Sequence, residues 1–333
     1  MRTPVRRATL RDQRAPAQAA PDQGGIVYRT MTDGDLDAAD AVHRAAFAKF
    51  FGADPKNFRP ESRVIHTRFA TDLRCGLVAD AGGEILGCAI VMDWGRLAVL
   101  GPVAVVPDRW GEGIAGALLN AATRMIARRG FGHAALFTHP QSGGHVRLYQ
   151  QHGFWPGALI AVMGRSVAEP TGTVSAEPVS AMGARARKSA LDGCRRVAGA
   201  VYRGLDPTRE IEGLRRQQIG DTLVLRERGR VRGFAVCHCG DGSEARANSL
   251  YVKFAAVRPG DAAGFARLVA ACEAFARERG ADRVTAGVST ARRGAYRALL
   301  DRGYRAELYG VAMHAPDAPA YDRPDRFVLD DLR

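Results

Sequence analysis

The sequence predicts an α/β (α+β) fold made of two similar halves, each with a mixed sheet flanked by helices. Strand patterns and helix patterns alternate along the chain, as expected for a layered architecture. Residues 130–163 also align without a gap on residues 280–313, at a constant offset of 150. The matches fall on turn glycines, such as Gly130 with Gly280 and Gly153 with Gly303, so the sequence indicates an internal duplication.

The first half begins with a predicted strand at residues 26–32 and a predicted helix at residues 35–51. Residues 52–74 are polar, broken by prolines and rich in aromatic and basic residues, which predicts a lid or substrate loop. A hairpin follows over residues 76–95, because alternating apolar residues flank Gly82 and Gly83, which tolerate positive φ.

A strand at residues 97–106 then leads through a glycine-containing loop into a helix that runs to about Arg129. Residues 133–138 predict a buried strand, and Ser142 is a predicted cap for the next helix. Residues 154–165 predict a strand that completes the sheet of the first half. The Pro, Thr and Ser residues that follow predict a linker before the second half.

Composition limits the classes of protein to consider. The chain has 333 residues, 46% of them apolar, which is enough for two domains with separate cores. No apolar run approaches 18 residues, so no membrane-spanning segment is expected. Residues 1–25 are basic and lack an apolar stretch, which predicts a disordered tail rather than a secretion signal, with a transit peptide as the alternative.

The six cysteines have irregular spacings, so we expect no disulfide scaffold and a cytoplasmic location. Cys237, His238 and Cys239 continue a strand pattern without a second ligand pair, so no metal site is expected.

The net charge of +13 raises nucleic-acid binding as an alternative. The excess charge is spread along the chain without aromatic interleaving, which favours a solvated surface and makes a nucleic-acid partner the less favoured hypothesis.

The stretch from residue 105 to 119 carries the strongest functional signal. Gly111, Gly113 and Gly116 spell the G-x-G-x-x-G pattern of dinucleotide-binding proteins, but four residues separate them from the strand and the next strand region contains no acidic residue. No Lys-Ser or Lys-Thr pair follows, which excludes a P-loop. A glycine loop that opens a helix favours phosphate binding, and an ordinary strand-to-helix turn is the alternative.

This stretch resembles motif A of the GCN5-related N-acetyltransferases (GNAT), and the order of elements over residues 26–167 is similar to that fold. The resemblance implies a mostly antiparallel sheet and a loop that wraps the pyrophosphate of acyl-CoA, with acetyl-CoA as the default donor. Trp110 stands where the family usually has Gln or Arg. The residues implied in binding acyl-CoA are Val105, Val106, Trp110, Gly111, Glu112, Gly113, Ile114, Ala115 and Gly116.

The resemblance also implies a general acid at Tyr149, which occupies the position of the family's tyrosine that protonates the coenzyme A thiolate. A core aromatic residue is the alternative for Tyr149. No carboxylate lies on the central strands, so His139 is the first choice for a general base and His145 the second. Ser142 stands where the family often has an asparagine.

The second half departs from the motif. It has PGDAAGF at residues 259–265, with Asp261 where a phosphate would approach, and Leu299 in the position of Tyr149. The predicted organisation is a tail (1–25), a first GNAT domain that binds acyl-CoA (26–167), a linker (168–182) and a degenerate second GNAT-like domain (183–333). The second domain would then serve as a brace, a wall of the substrate site or a contact between two copies in a homodimer.

The sequence therefore predicts an acyl-CoA-dependent N-acyltransferase that acts on a primary amine of a small molecule or peptide. A non-catalytic acyl-CoA sensor is the alternative outside the enzyme class. The bases and aromatic residues of the predicted lid suit an acceptor with an anion beside an apolar body, and a solvated basic loop explains them equally well. The bases are Lys49, Lys56, Arg59, Arg63, His66 and Arg68.

Overall fold

The computed structural model describes residues 25–167, 176–316 and 321–333, which form one 13-stranded sheet with helices on both faces. The strands are β1 (Val27–Thr30), β2 (Gly76–Ala81), β3 (Glu84–Trp94), β4 (Leu97–Val105), β5 (His133–Thr138), β6 (Trp155–Ser166), β7 (Glu177–Pro178), β8 (Gly220–Glu227), β9 (Arg230–His238), β10 (Ser249–Val257), β11 (Arg283–Ser289), β12 (Arg305–Ala315) and β13 (Val328–Asp330). The helices are α1 (Leu36–Phe51), α2 (Val64–Thr71), α3 (Ile114–Arg129), α4 (Gly143–Gln151), α5 (Ala184–Val201), α6 (Thr208–Gln217), α7 (Ala262–Glu278) and α8 (Arg293–Asp301).

The strand order is β1-β2-β3-β4-β5-β12-β6-β11-β10-β9-β8-β7, with β13 paired to β10. The pairs β4–β5 and β10–β11 are parallel and the other pairs are antiparallel. The prediction of a mixed, mostly antiparallel sheet flanked by helices is confirmed.

The two halves exchange their last strands, which the sequence analysis did not predict. Strand β6 was expected to complete the first sheet, but it pairs with β11 through Met163 and Ala286. Strand β12 of the second half takes the place beside β5, where Met313 pairs with Leu136. Because β6 and β12 align at an offset of 150, their side-chain patterns fit either sheet. The exchange joins the halves into one continuous sheet.

The core is organised by this shared sheet. On one face, helices α1, α2, α5 and α6 pack with strands from both halves in a single hydrophobic cluster. On the other face, α3 packs over the first half, whereas α7 and α8 pack over the second. On this face, the core of each half therefore includes residues from the other half.

Parts of two predicted loop segments have regular structure. The predicted lid at residues 52–74 contains α2, because Val64, Ile65 and Phe69 form a buried helical face despite the preceding prolines. In the predicted linker, Glu177 and Pro178 form β7 at the edge of the sheet. Residues 168–175 of that linker and residues 1–24 of the predicted tail lie outside the described ranges.

The helices of the described ranges include none that combines the length and the apolar character needed to cross a lipid bilayer.

Candidate active site

A split between β4 and β5 opens a large cavity in the first half. The parallel pairing of these strands covers only Leu97–Val99 with His133–Ala135. Farther along, the two strands separate, and β4 bulges between Leu100 and Val103. The resulting cavity has a volume of about 2260 Å³ and is lined by the end of β4, the glycine loop, α4 and aromatic residues at the end of α1.

The glycine loop and α3 form an anion-binding arrangement at one end of this cavity. Gly111 and Gly113 have φ of 91° and 84°, which a side chain would disfavour. The residue that caps α3 is Gly113, and no side chain accepts a hydrogen bond from the first turn of the helix. The amides of that turn therefore remain available to a ligand, and the helix dipole favours a negative one.

The structure explains why Trp110 can stand where the family usually has Gln or Arg. Its indole Nε1 donates a 2.8 Å hydrogen bond to the main-chain oxygen of Val105, which closes the loop onto the end of β4. Lys49 of α1 lies with its Nζ 5.4 Å from the centre of the indole. Glu112 does not extend towards the cavity, because its carboxylate pairs with Arg109 at 2.7 Å.

His152 is a residue that sequence reasoning missed. It follows α4, and its ring lies between two main-chain oxygens, with Nε2 at 3.0 Å from Gly116 and Nδ1 at 2.8 Å from Leu148. It thereby joins the end of α4 to the first turn of α3. No motif in the sequence signals this contact, because it depends on the packing of two helices.

Tyr149, His139 and His145 all line the same cavity. Phe50 lies between the two histidines, with its ring centre 4.9 Å from that of His139 and 5.2 Å from that of His145. Phe51 also contacts His139, at 5.2 Å between ring centres. Aromatic residues at the end of α1 thus pack around both base candidates.

The surroundings of these side chains favour their neutral forms. Burial raises the pKa of Tyr149 to about 12, so its hydroxyl keeps its proton at neutral pH. Burial, followed by the charges of His145 and Arg333, lowers the pKa of His139 to about 4. Burial also lowers the pKa of His145. The cavity thus holds one hydroxyl that can give a proton and two imidazoles that can take one.

A buried network of charges connects the second half to β4. Arg68 of α2 donates to the main-chain oxygen of Gly101 at 2.6 Å and pairs with Glu244 at 2.6 Å. Glu244, which lies between β9 and β10, also pairs with Lys253, and Lys253 pairs with Glu210 at 3.2 Å. Arg68 was predicted in a lid, but it is buried and holds the bulge of β4 in place.

The corresponding region of the second half is closed. Asp261 caps α7 by accepting a 2.8 Å hydrogen bond from the amide of Gly264, and the amide of Gly260 donates to the main-chain oxygen of Asp325. Strand β13 pairs with β10 at residues 254–256. Val105 pairs with Gly87 in the first half, and Val257 pairs with Gly233 in the second. Residues 254–256 of β10 therefore correspond to residues 102–104 of β4. The chain itself therefore occupies the edge that is open in the first half.

Comparison with known proteins identifies this architecture. Residues 40–154 match the model of the family described as Acetyltransferase (GNAT) family. These residues form a GNAT acetyltransferase domain. The resemblance to the GNAT family read from the sequence is confirmed over residues 40–154.

Solved GNAT structures share the fold along nearly the whole chain. An acetyltransferase candidate from Pyrococcus horikoshii has a TM-score of 0.65 and 14% identity, and the match covers 95% of this chain and 97% of that chain. A GCN5-related N-acetyltransferase from Sphaerobacter thermophilus has a TM-score of 0.59 and 18% identity, over 89% of this chain and 96% of that chain. A comparison with curated protein sequences gives no match.

Proposed function

We propose that this chain transfers an acyl group, acetyl by default, from acyl-CoA to a primary amine of a small molecule or peptide. The observation that supports this most strongly is the uncapped first turn of α3, preceded by the left-handed Gly111 and Gly113, at the open end of the β4–β5 split. Such a site suits a phosphorylated ligand with an extended arm. The amides would receive the phosphates, and the unpaired edge of β4 would hydrogen-bond the arm.

In this proposal, the residues from Val105 to Gly116 hold the donor. Gly111, Gly113, Ala115 and Gly116 contribute main-chain amides beside the phosphates, and Ile114 begins the helix that supplies the dipole. Glu112 contributes its amide only, because Arg109 neutralises its carboxylate. The role of Trp110 is to hold the loop in this shape through its bond to Val105.

Amine acylation needs a group that removes a proton from the ammonium ion and a group that protonates the leaving thiolate. An alkylamine with a pKa of ~10.4 is unprotonated in about one molecule per thousand at neutral pH. We assign proton removal to His139, whose lowered pKa keeps it neutral, with His145 as the second candidate. The amine then attacks the thioester carbonyl, the carbon–sulfur bond breaks, and Tyr149 gives its proton to the thiolate.

The second half, from residue 183, has no donor site in this proposal and acts as a brace and as a wall of the acceptor site. The side-chain cap of Asp261 and the pairing of β13 with β10 support this assignment, because they occupy the groups that would bind a donor. The contact of Arg68 with both Glu244 and Gly101 supports the brace.

Release of free thiol from acetyl-CoA, measured with and without a panel of primary amines, tests the proposal. Thiol release that depends on the amine, with the acetylated amine found by mass spectrometry, is the expected result. Binding of acetyl-CoA without any amine-dependent release would instead support the non-catalytic sensor. Absence of acetyl-CoA binding would contradict both hypotheses.

A further inference from the structure

The end of the cavity lined by Arg59, Arg246 and Arg333, here called the acceptor end, has more positive than negative side chains. Arg68 and Lys253 are matched by Glu244 and Glu210 in the buried network. Arg333 is matched by Asp331, with 2.6 Å between Nη2 and the carboxylate. Two further arginines, Arg59 and Arg246, line the same end of the cavity as Arg68 and Arg333, and among the described residues neither forms an ion pair with a carboxylate side chain.

Arg59 comes from the segment between α1 and α2 and points into the cavity. Its Nη2 donates to the main-chain oxygen of Glu244 at 2.6 Å, whereas its buried Nε has no hydrogen-bond partner among the described residues. Burial, followed by the charges of Arg333 and Arg246, lowers its pKa to about 10. A guanidinium that is largely enclosed and faces two others is in an unfavourable position until an anion joins it.

Arg246 comes from the second half, in the loop between β9 and β10, and its side chain is exposed at the cavity rim. Glu244 and Tyr251 also face Arg59, and His43 faces Arg59, Arg44 and Arg68. The pKa of His43 is lowered to about 3, by burial first and then by those arginines, so it adds no charge at neutral pH. The acceptor end therefore has two arginines, one from each half of the chain, that form no ion pair with a carboxylate side chain of the described residues.

An apolar wall lies next to these charges. Phe51 stacks on Phe58 with 6.0 Å between ring centres, and Phe58 directly precedes Arg59. Phe47 and Phe50 continue the wall towards His139. Arg59 contacts Glu244, Glu244 pairs with Arg68, and Arg68 contacts Gly101. These contacts place Arg59 beside the bulge of β4, and Arg246 lies close enough to Arg59 to lower its pKa.

We propose that Arg59 and Arg246 bind an oxyanion of the acceptor, which is therefore an amine that also carries a carboxylate or a phosphate beside an apolar body. This inference rests on the proposed acyltransferase function. Two guanidinium groups can hold an oxyanion by charge-assisted, bidentate hydrogen bonds, and the anion would supply the partner that Arg59 Nε lacks. The second half thus contributes to acceptor recognition through Arg246.

Matched pairs of amines test the proposal. We would measure kcat/KM for phenylalanine and phenylalaninamide, and for O-phosphoethanolamine and ethanolamine. The expected result is a preference of about tenfold or more for the anionic member of at least one pair, and the pair that shows it separates carboxylate from phosphate. Equal kcat/KM for both members of both pairs would overturn the anion site while leaving the acyltransferase function intact.

Variants link the preference to the two arginines. Arg59→Gln and Arg246→Gln should each reduce the ratio of kcat/KM for the anionic substrate to kcat/KM for the neutral one towards one. Arg59→Lys should give an intermediate ratio, because lysine keeps the charge but cannot form the bidentate hydrogen bonds of a guanidinium group. Lys56→Gln is the matched control, since Lys56 is exposed on the same segment and outside the cavity, and it should keep the wild-type ratio. An unchanged ratio in both arginine variants would overturn the assignment.

Calorimetry separates this inference from the proposed function. With coenzyme A present, phenylalanine or O-phosphoethanolamine should bind the wild-type chain more tightly than its neutral partner, and Arg246→Gln should remove the difference. Such binding without any turnover would retain the anion site and reject the enzyme. Equal binding of the anionic and neutral compounds would reject the anion site, whatever the turnover.

Discussion

The indole Nε1 of Trp110 donates a hydrogen bond of 2.8 Å to the main-chain oxygen of Val105. This bond joins the first residue of the glycine loop to the last residue of β4, so the loop has a fixed shape before any ligand binds. A Gln or Arg at this position would reach the ligand directly. Trp110 instead acts through the backbone, which is consistent with phosphate binding by main-chain amides.

Trp110→Phe should weaken acetyl-CoA binding about fivefold, because it removes one hydrogen bond worth about 1 kcal/mol but keeps the aromatic ring beside Lys49. Isothermal titration calorimetry measures the change in Kd, and kcat at saturating donor should stay near the wild-type value. Unchanged affinity would mean that the loop keeps its shape without the indole.

Gly111→Ala should weaken acetyl-CoA binding about tenfold or more. The φ of Gly111 is 91°, a conformation that costs an alanine roughly 1–2 kcal/mol, and no atom would obstruct the added methyl group. Gly260→Ala is the matched control, since Gly260 lies in the corresponding loop of the second half with a φ of 77° and equal space. Equal losses in both variants would show that loop strain, not the donor site, determines binding.

Tyr149→Phe should lower kcat roughly 10²-fold or more, while the Kd of acetyl-CoA stays the same, because the hydroxyl acts only as the thiolate leaves. The pKa of Tyr149 is raised to about 12, so the wild-type pH–rate profile should show no loss of activity from this group up to about pH 11. An unchanged kcat in Tyr149→Phe at saturating donor would remove the residue from the mechanism.

His139→Gln should lower kcat/KM roughly 10²-fold. The pKa of His139 is lowered to about 4, so this residue is protonated and inactive only below that pH. The wild-type rate should therefore rise with pH through about 4, and His139 should add no further step near its ordinary value of ~6.5. A step near 6.5 that disappears in His145→Gln, with His139→Gln fully active, would assign the base to His145.

Local features of this chain follow from its sequence. Gly82 and Gly83 form the predicted turn, Ser142 caps α4, and the offset of 150 relates β5, α4 and β6 to β11, α8 and β12. Each of these depends on residues that are close together in the chain. Such signals come from backbone conformation and hydrophobic periodicity, which the sequence carries directly.

Other features depend on contacts between distant residues. The pairing of β6 with β11 could not be predicted, since β6 and β12 have equivalent patterns and either fits beside β5. The proposed role of Arg246 beside Arg59 could not be predicted either, because their residue numbers differ by 187. Helix α2 was missed because nearby prolines and charges obscured its short apolar face.

The stoichiometry of acetyl-CoA binding tests the central claim most directly, namely that the first half holds the donor and the second half is closed. Calorimetric titration of the full chain should give one molecule per chain, with the same stoichiometry and affinity in Asp261→Ala, because β13 still covers β10 in that variant. Two molecules per chain, or binding that Asp261→Ala changes and Gly111→Ala does not, would contradict the claim.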